Sequence, residues 1–136
     1  MTLTPAERAV EIFAVIHLAL MGVSHIVRHR AWAEFFIVLR NRGYGGVFVH
    51  GFLSLGFGSL LVALHRVWSG PAMVLSICGV LYLVNTVQCF MLPELSMRSL
   101  NRVSLERSRV FIGAGVAFLV IAAATTWSLA TSASGG

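Results

Sequence analysis

The chain has 136 residues, 57% of them hydrophobic, with a mean hydropathy of +0.86 and a formal net charge of +5. So apolar a chain of this length has no room for a separate soluble domain. Its cations are ten arginines set against five glutamates, with no lysine or aspartate. These arginines flank apolar runs, so the charge is assigned to membrane orientation and anionic lipid rather than to nucleic acid.

Four apolar runs, at about 8–27, 44–64, 71–92 and 110–130, each approach the ~20 residues that a bilayer core requires. The prediction is an all-α, four-helix transmembrane bundle, forming a single domain over residues 1–136. Thr4-Pro5-Ala6-Glu7 opens the first span, with Thr4 as N-cap, Pro5 at the first helical position and Glu7 completing a capping box. No small-residue cleavage site follows the first apolar run, so this span is expected to stay in place.

After Arg28-His29-Arg30 comes a segment over 31–40. It carries Trp32, Phe35, Phe36 and Leu39 on one side and Glu34 and Arg40 elsewhere, the spacing of a short amphipathic helix lying in the membrane interface. Gly43-Tyr44-Gly45-Gly46 turns the chain into the second span. The connection over 65–70 fits only a tight hairpin, with Pro71 opening the third span and Pro93 stopping it. A second basic loop over 94–109 offers Leu95, Leu100 and Val103 to the interface. Val47-Phe48-Val49 and Val110-Phe111-Ile112 open the second and fourth spans at equivalent places, as a two-helix repeat would. On the fourth span, Gly113, Ala117 and Ala124 make a small-residue stripe, a packing face inside the bundle or against a partner helix.

Arginine placement sets the expected orientation. Arg28, Arg30, Arg40 and Arg42 lie in the first loop, and Arg98, Arg102, Arg107 and Arg109 in the third; only Arg8 and Arg66 lie opposite. The positive-inside bias then puts both of those loops in the cytoplasm and both termini outside. The all-arginine cation set beside abundant Ala, Val, Gly and Leu is the composition of a GC-rich bacterial genome, and with four spans the expected location is a bacterial inner membrane. Trp68 and Trp127 at one end, and Trp32 and Tyr44 at the other, read as aromatic belts.

Ionisable groups inside spans are costly and mark function. His25, His50, Asn85 and Gln88 fall in one layer, roughly 5–10 Å below the cytoplasmic boundary by helical rise. Glu11, Leu18, Gly22, His25 and His29 share one stripe. His50, Ser54, Phe57 and Leu61 share a second, and Cys78, Tyr82, Asn85 and Cys89 a third. Inward-facing stripes would open a polar pocket between the first three spans. Its four polar residues form either a cofactor-binding site or a set of interhelical hydrogen bonds. As a site they would hold a quinone head group, His donating to one carbonyl and Asn or Gln to the other, or a b-type haem between two imidazoles.

His17 lies deeper, about 80° around the helix from His25. It either continues a proton path from Glu11 or caps a neighbour's carbonyl. His29 and His65 fall at boundaries, where they are expected to be solvated or to touch head groups. The pair His25 and His29 has metal-ligand spacing, but Arg28 and Arg30 would repel a cation, so no metal site is assigned. Cys78 and Cys89, about 16 Å apart along one helix, are beyond disulfide reach and read as small buried residues.

The order of elements resembles the DoxX-like group of small bacterial membrane proteins. The likeness is carried by Ala31-Trp32-Ala33-Glu34-Phe35-Phe36, the turn Gly43-Tyr44-Gly45-Gly46, and Gly51-Phe52-Leu53-Ser54-Leu55-Gly56-Phe57-Gly58. It covers about the first two-thirds of the chain. His50 stands near the start of the second span, where that group often carries an acidic residue. The resemblance implies a four-helix membrane protein, sometimes linked with quinone- or redox-associated complexes.

No catalytic triad or metal motif stands out in the sequence, and the apolar faces are extensive. The expected function is therefore a non-catalytic accessory or scaffolding subunit beside a larger respiratory or photosynthetic type membrane complex, with lipid, a membrane-protein partner or further copies of itself as neighbours. The alternatives are a redox or small-molecule-binding protein with quinone or haem b, and a proton-coupled carrier acting as an oligomer.

Overall fold

Thr4 starts the first helix as its sequence predicts. Its hydroxyl accepts the Glu7 N–H at 3.2 Å, and the Glu7 carboxylate accepts the Thr4 N–H at 2.9 Å. From there a computed structural model describes residues 3–133. They form α1 (Pro5–Val27), α2 (His29–Asn41), α3 (Tyr44–Leu64), α4 (Met73–Met91), α5 (Pro93–Leu100) and α6 (Val110–Ala133). Four of these, α1, α3, α4 and α6, are long and apolar enough to cross a membrane. The molecule is the all-helical, four-helix bundle expected, and its arginine-rich connections gather at one end.

The long helices associate in two pairs, α1 with α6 and α3 with α4. Where both neighbours and lipid are apolar, close packing rather than water exclusion decides which helices meet, and glycine permits the closest approach. A Cβ on Gly115 of α6 would lie 2.6 Å from the Gly22 carbonyl of α1. In the other pair, a Cβ on Gly79 would lie 2.7 Å from the Leu61 Cβ, and one on Gly58 would lie 2.9 Å from the Tyr82 Cβ. Exchanging α1 for α4 and α3 for α6 exchanges the two pairs, which is the arrangement a two-helix repeat would produce.

On the fourth span one of the two expected uses of the small-residue stripe is ruled out. Gly113 and Ala117 are exposed, and space around Gly113 is open, so that stripe does not face into the bundle. The packed face is Gly115, Ala122 and Thr125, about two residues out of phase. Since α6 is apolar all round, its composition carried little information on which side turns inward.

Val10, Ala14, Leu18, Phe57, Leu61, Leu75, Cys78 and Ala122 form the core joining the two pairs in the half away from the arginines. A second cluster of Val47, Cys89 and Leu100, with Phe36 and Met97 against it, lies at the arginine-rich end. It is completed by the short helices. The basic stretch after Pro93 is helical over α5 and buries Ser96 and Leu100 rather than offering Leu100 to the interface. Pro93 begins α5 as well as ending the helix before it. Arg40 of α2 donates to the Val103 carbonyl at 3.1 Å, tying α2 to the chain beyond α5.

Gly43 links α2 to α3 with a positive φ of 60°, a conformation that glycine adopts without a Cβ clash. Gly46, in the first turn of α3, lies against the Leu39 backbone. This corner folds α2 back so that Trp32, Phe35 and Phe36 face the space between the helix pairs.

Candidate functional site

Between the two pairs, toward the arginine-rich end, lies a cavity of about 830 Å³. Every helix but α5 contributes to it, each with a face set by helical periodicity. From α1 come His17, Met21, Ser24, His25 and Arg28; from α3, His50, Leu53, Ser54 and Phe57. Trp32, Phe35 and Phe36 of α2, Tyr82 of α4 and Phe118 of α6 complete an aromatic wall.

His25 is 5% exposed and held on several sides. Its ring stacks on Trp32, with centroids 4.0 Å apart and planes at 18°, while Phe118 meets it edge-on at 5.2 Å. Trp32 is itself fixed by donating its indole N–H to Ser24 Oγ at 3.0 Å. The His25 Nδ1 lies 2.7 Å from the Met21 carbonyl oxygen. A carbonyl only accepts, so Nδ1 carries the hydrogen, and in the neutral ring Nε2 keeps a lone pair. The tautomer therefore follows from the backbone contact. Nε2 is the atom left to a ligand.

His50 faces the same cavity from α3, with Phe36 against it edge-on at 5.4 Å. Phe36 stacks on Phe111 at 5.4 Å, and Phe111 lies 6.1 Å from His25, so aromatic rings connect the two histidines. His17 lies deeper, stacked on Phe57 with centroids 4.5 Å apart. Three histidines thus line one cavity.

Asn85 and Gln88 stand behind this wall rather than in it. The Asn85 amide donates to Ser54 Oγ at 2.9 Å, and Ser54 lines the cavity. The Gln88 amide donates to Ser96 Oγ at 3.4 Å, Ser96 donates to Cys89 Sγ at 3.5 Å, and Cys89 Sγ lies 3.8 Å from His50 Nδ1. Asn85 thus supports a cavity-lining side chain directly, and Gln88 does so through two intermediates, Ser96 and Cys89. Among the described residues no three of His, Cys, Asp and Glu converge as a metal site would.

Sequence reading overlooked the part played by Trp32, which had the look of an interfacial anchor. Its partner at i−8, Ser24, lies beyond the turn between α1 and α2, and no spacing rule reaches across that turn. Phe118 was likewise unassigned, whereas Tyr82 lines the cavity from the inward stripe on which its spacing put it. The other correction is His65. It is 2% exposed and engaged by Glu11, whereas its position at a helix end had predicted solvation. His29, by contrast, is half-buried, with Nδ1 3.0 Å from Ser108 Oγ.

No protein-family model matches the chain, and no curated protein or solved structure matches it either. The four span-forming helices make it a small membrane-type protein by length and composition. Any finer reading rests on the cavity itself.

Proposed function

We propose that the protein binds a lipid-soluble aromatic compound of the quinone–quinol class in the cavity between its helix pairs. The observation that carries this is the His25 ring, clamped by Trp32 and Met21 with its Nε2 lone pair left over. Stacked and edge-on aromatic rings favour a flat apolar ligand. Arg28 at the arginine-rich rim offers a cation where the polar end of an amphiphile would lie.

The tautomer refines the expected chemistry. A neutral His25 with hydrogen on Nδ1 accepts at Nε2 and cannot donate there. It therefore suits the hydroxyl of a quinol, whereas a quinone carbonyl would meet lone pair against lone pair. The amides of Asn85 and Gln88 act in this reading as supports for Ser54 and His50, not as direct ligands.

The test is titration of the protein in lipid nanodiscs with a short-chain benzoquinol and, separately, its benzoquinone. The quinol binds more tightly, and His25→Leu weakens it by about tenfold, the value of one hydrogen bond. The quinone changes little. Equal quinol affinity in wild type and His25→Leu would remove His25 from the site. His50→Ala is expected to lower occupancy by a similar factor without changing the helical content measured by circular dichroism.

A b-type haem is the second reading, favoured by one observation. A histidine whose Nδ1–H is held by a backbone carbonyl is oriented as metal-ligating histidines commonly are. A Soret band in the visible spectrum of the purified protein would select haem over a quinol. The resemblance to the DoxX-like group supports a quinone-associated role, and the charge bias supports a bacterial inner-membrane orientation with the cavity toward the cytoplasm. The accessory-subunit reading draws only on exposed apolar helix faces, which lipid covers equally well.

A further inference from the structure

At the opposite end of the bundle, α1 meets the α3–α4 corner through a buried polar network. His65 Nε2 lies 3.1 Å from Glu11 Oε1, His65 Nδ1 lies 2.9 Å from Ser76 Oγ, and the Ser76 hydroxyl donates to the Val67 carbonyl at 2.6 Å. Both Glu11 and His65 side chains are fully buried, and Glu11 Oε2 has no partner.

Donor accounting counts the protons. The Val67 carbonyl can only accept, so the single Ser76 hydrogen is committed to it. Ser76 Oγ must then accept from His65 Nδ1–H. At the other side of the ring, a hydrogen bond between Nε2 and Oε1 requires one more proton. It rests either on Oε1 of a neutral carboxylic acid or on Nε2 of an imidazolium beside a carboxylate. Moving it between them shifts one proton along one hydrogen bond, and the pair stays electrically neutral either way. Losing it to water would leave one buried negative charge, a costly state. The Ser76 hydroxyl would then have to leave Val67 and donate to Nδ1 for Nε2–H to keep facing Glu11.

We infer that Glu11 and His65 form a proton-binding site, separate from the cavity, holding one exchangeable proton between Oε1 and Nε2. Few charged groups face it from the elements packed around it. On α1, Glu7 lies within electrostatic reach of His65 and beside the Arg66 backbone N–H, and Arg8 is exposed at the same end. Arg66, next to His65, is likewise exposed. The ionisable groups of α4 nearest in sequence are Cys78 and Tyr82, deeper in the bundle, and α6 carries none. The apolar cluster around Leu18, Phe57 and Leu61 separates the network from the cavity, so the proton exchanges with the medium at this end and not with a cavity ligand. Although the order Glu–His–Ser resembles a hydrolase triad, Ser76 is 2% exposed and its hydrogen is engaged, so no substrate reaches it.

The experiment uses the full chain in lipid nanodiscs with 15N-labelled histidine and 13C-carboxyl-labelled glutamate. At neutral pH the expected result is two protons on the pair. That appears as a His65 ring protonated at both nitrogens, or as a carboxylic-acid C=O infrared band that Glu11→Gln removes. In either case transfer to D2O exchanges the proton. His65 is assigned by replacing the other four histidines one at a time. If Glu11→Gln fails to fold, the 13C shift of the band in the unaltered chain identifies a glutamate, and the other four glutamates are not fully buried. A carboxylate beside a singly protonated ring would overturn the proposal, as would a proton that D2O does not exchange. Failure of quinol binding would leave this result untouched, since the two sites share no residue.

Discussion

Glu11→Ala lowers the stability of the protein by about 3–5 kcal/mol, the range for removing one partner of a buried polar pair. His65 then faces an empty, apolar space on its Nε2 side, and α1 loses its polar tie to the α3–α4 corner. Glu11→Gln is expected to cost nearer ~1 kcal/mol, because the amide can still donate to Nε2. The double variant Glu11→Leu, His65→Leu should be more stable than either single leucine variant, since apolar groups of similar size leave nothing unpaired. Thermal unfolding in detergent, followed by circular dichroism, ranks the set. If alanine and glutamine at position 11 behave alike, the network does not hold α1 in place.

The second large effect belongs to neighbouring glycines at the α2–α3 corner. Gly46→Ala places a Cβ against the backbone carbonyl of Leu39, which cannot move aside as a flexible side chain would. Overpacking of this kind costs about 1–3 kcal/mol, and a backbone obstacle puts Gly46 at or above the upper end. Gly45, one residue earlier, has open space around its Cβ position. Gly45→Ala should therefore be neutral, or stabilising by up to ~1 kcal/mol through helix propensity. The contrast between adjacent positions separates steric cost from propensity in one measurement. Since the same corner carries Trp32 and Phe36 over the cavity, Gly46→Ala should also weaken quinol binding, while Gly45→Ala leaves it unchanged. Loss of binding in both variants would mean that the corner itself, not its packing, is being disturbed.

These two sites show how far the chain could be read in advance. The Thr4–Glu7 capping box was legible because both partners lie within one turn. The inward stripes of α1 and α3 were legible because helical period places Leu18, Gly22 and His25, or Ser54, Phe57 and Leu61, on common faces. Both stripes are buried where they were expected, except that His29 at the end of the first and His50 at the cavity wall are half-buried. For α6 the same method left the inward side open, and the small-residue stripe of Gly113 and Ala117 turned out to lie on the outer face. An apolar helix between apolar neighbours and lipid has no polar face to betray its rotation.

Composition, span length and arginine placement by themselves determined a four-helix membrane-type bundle, its element order and the layer holding His25 and His50. Tertiary structure alone decided the rest. It paired α1 with α6 and α3 with α4, folded Trp32 onto His25, moved Asn85 and Gln88 behind the cavity wall, and buried His65 against Glu11. The reason is range. Periodicity reports which residues share a face, whereas partners depend on contacts between distant segments, as between Glu11 and His65, 54 residues apart. The fully buried Glu11–His65 pair was written in two places that no local rule connects.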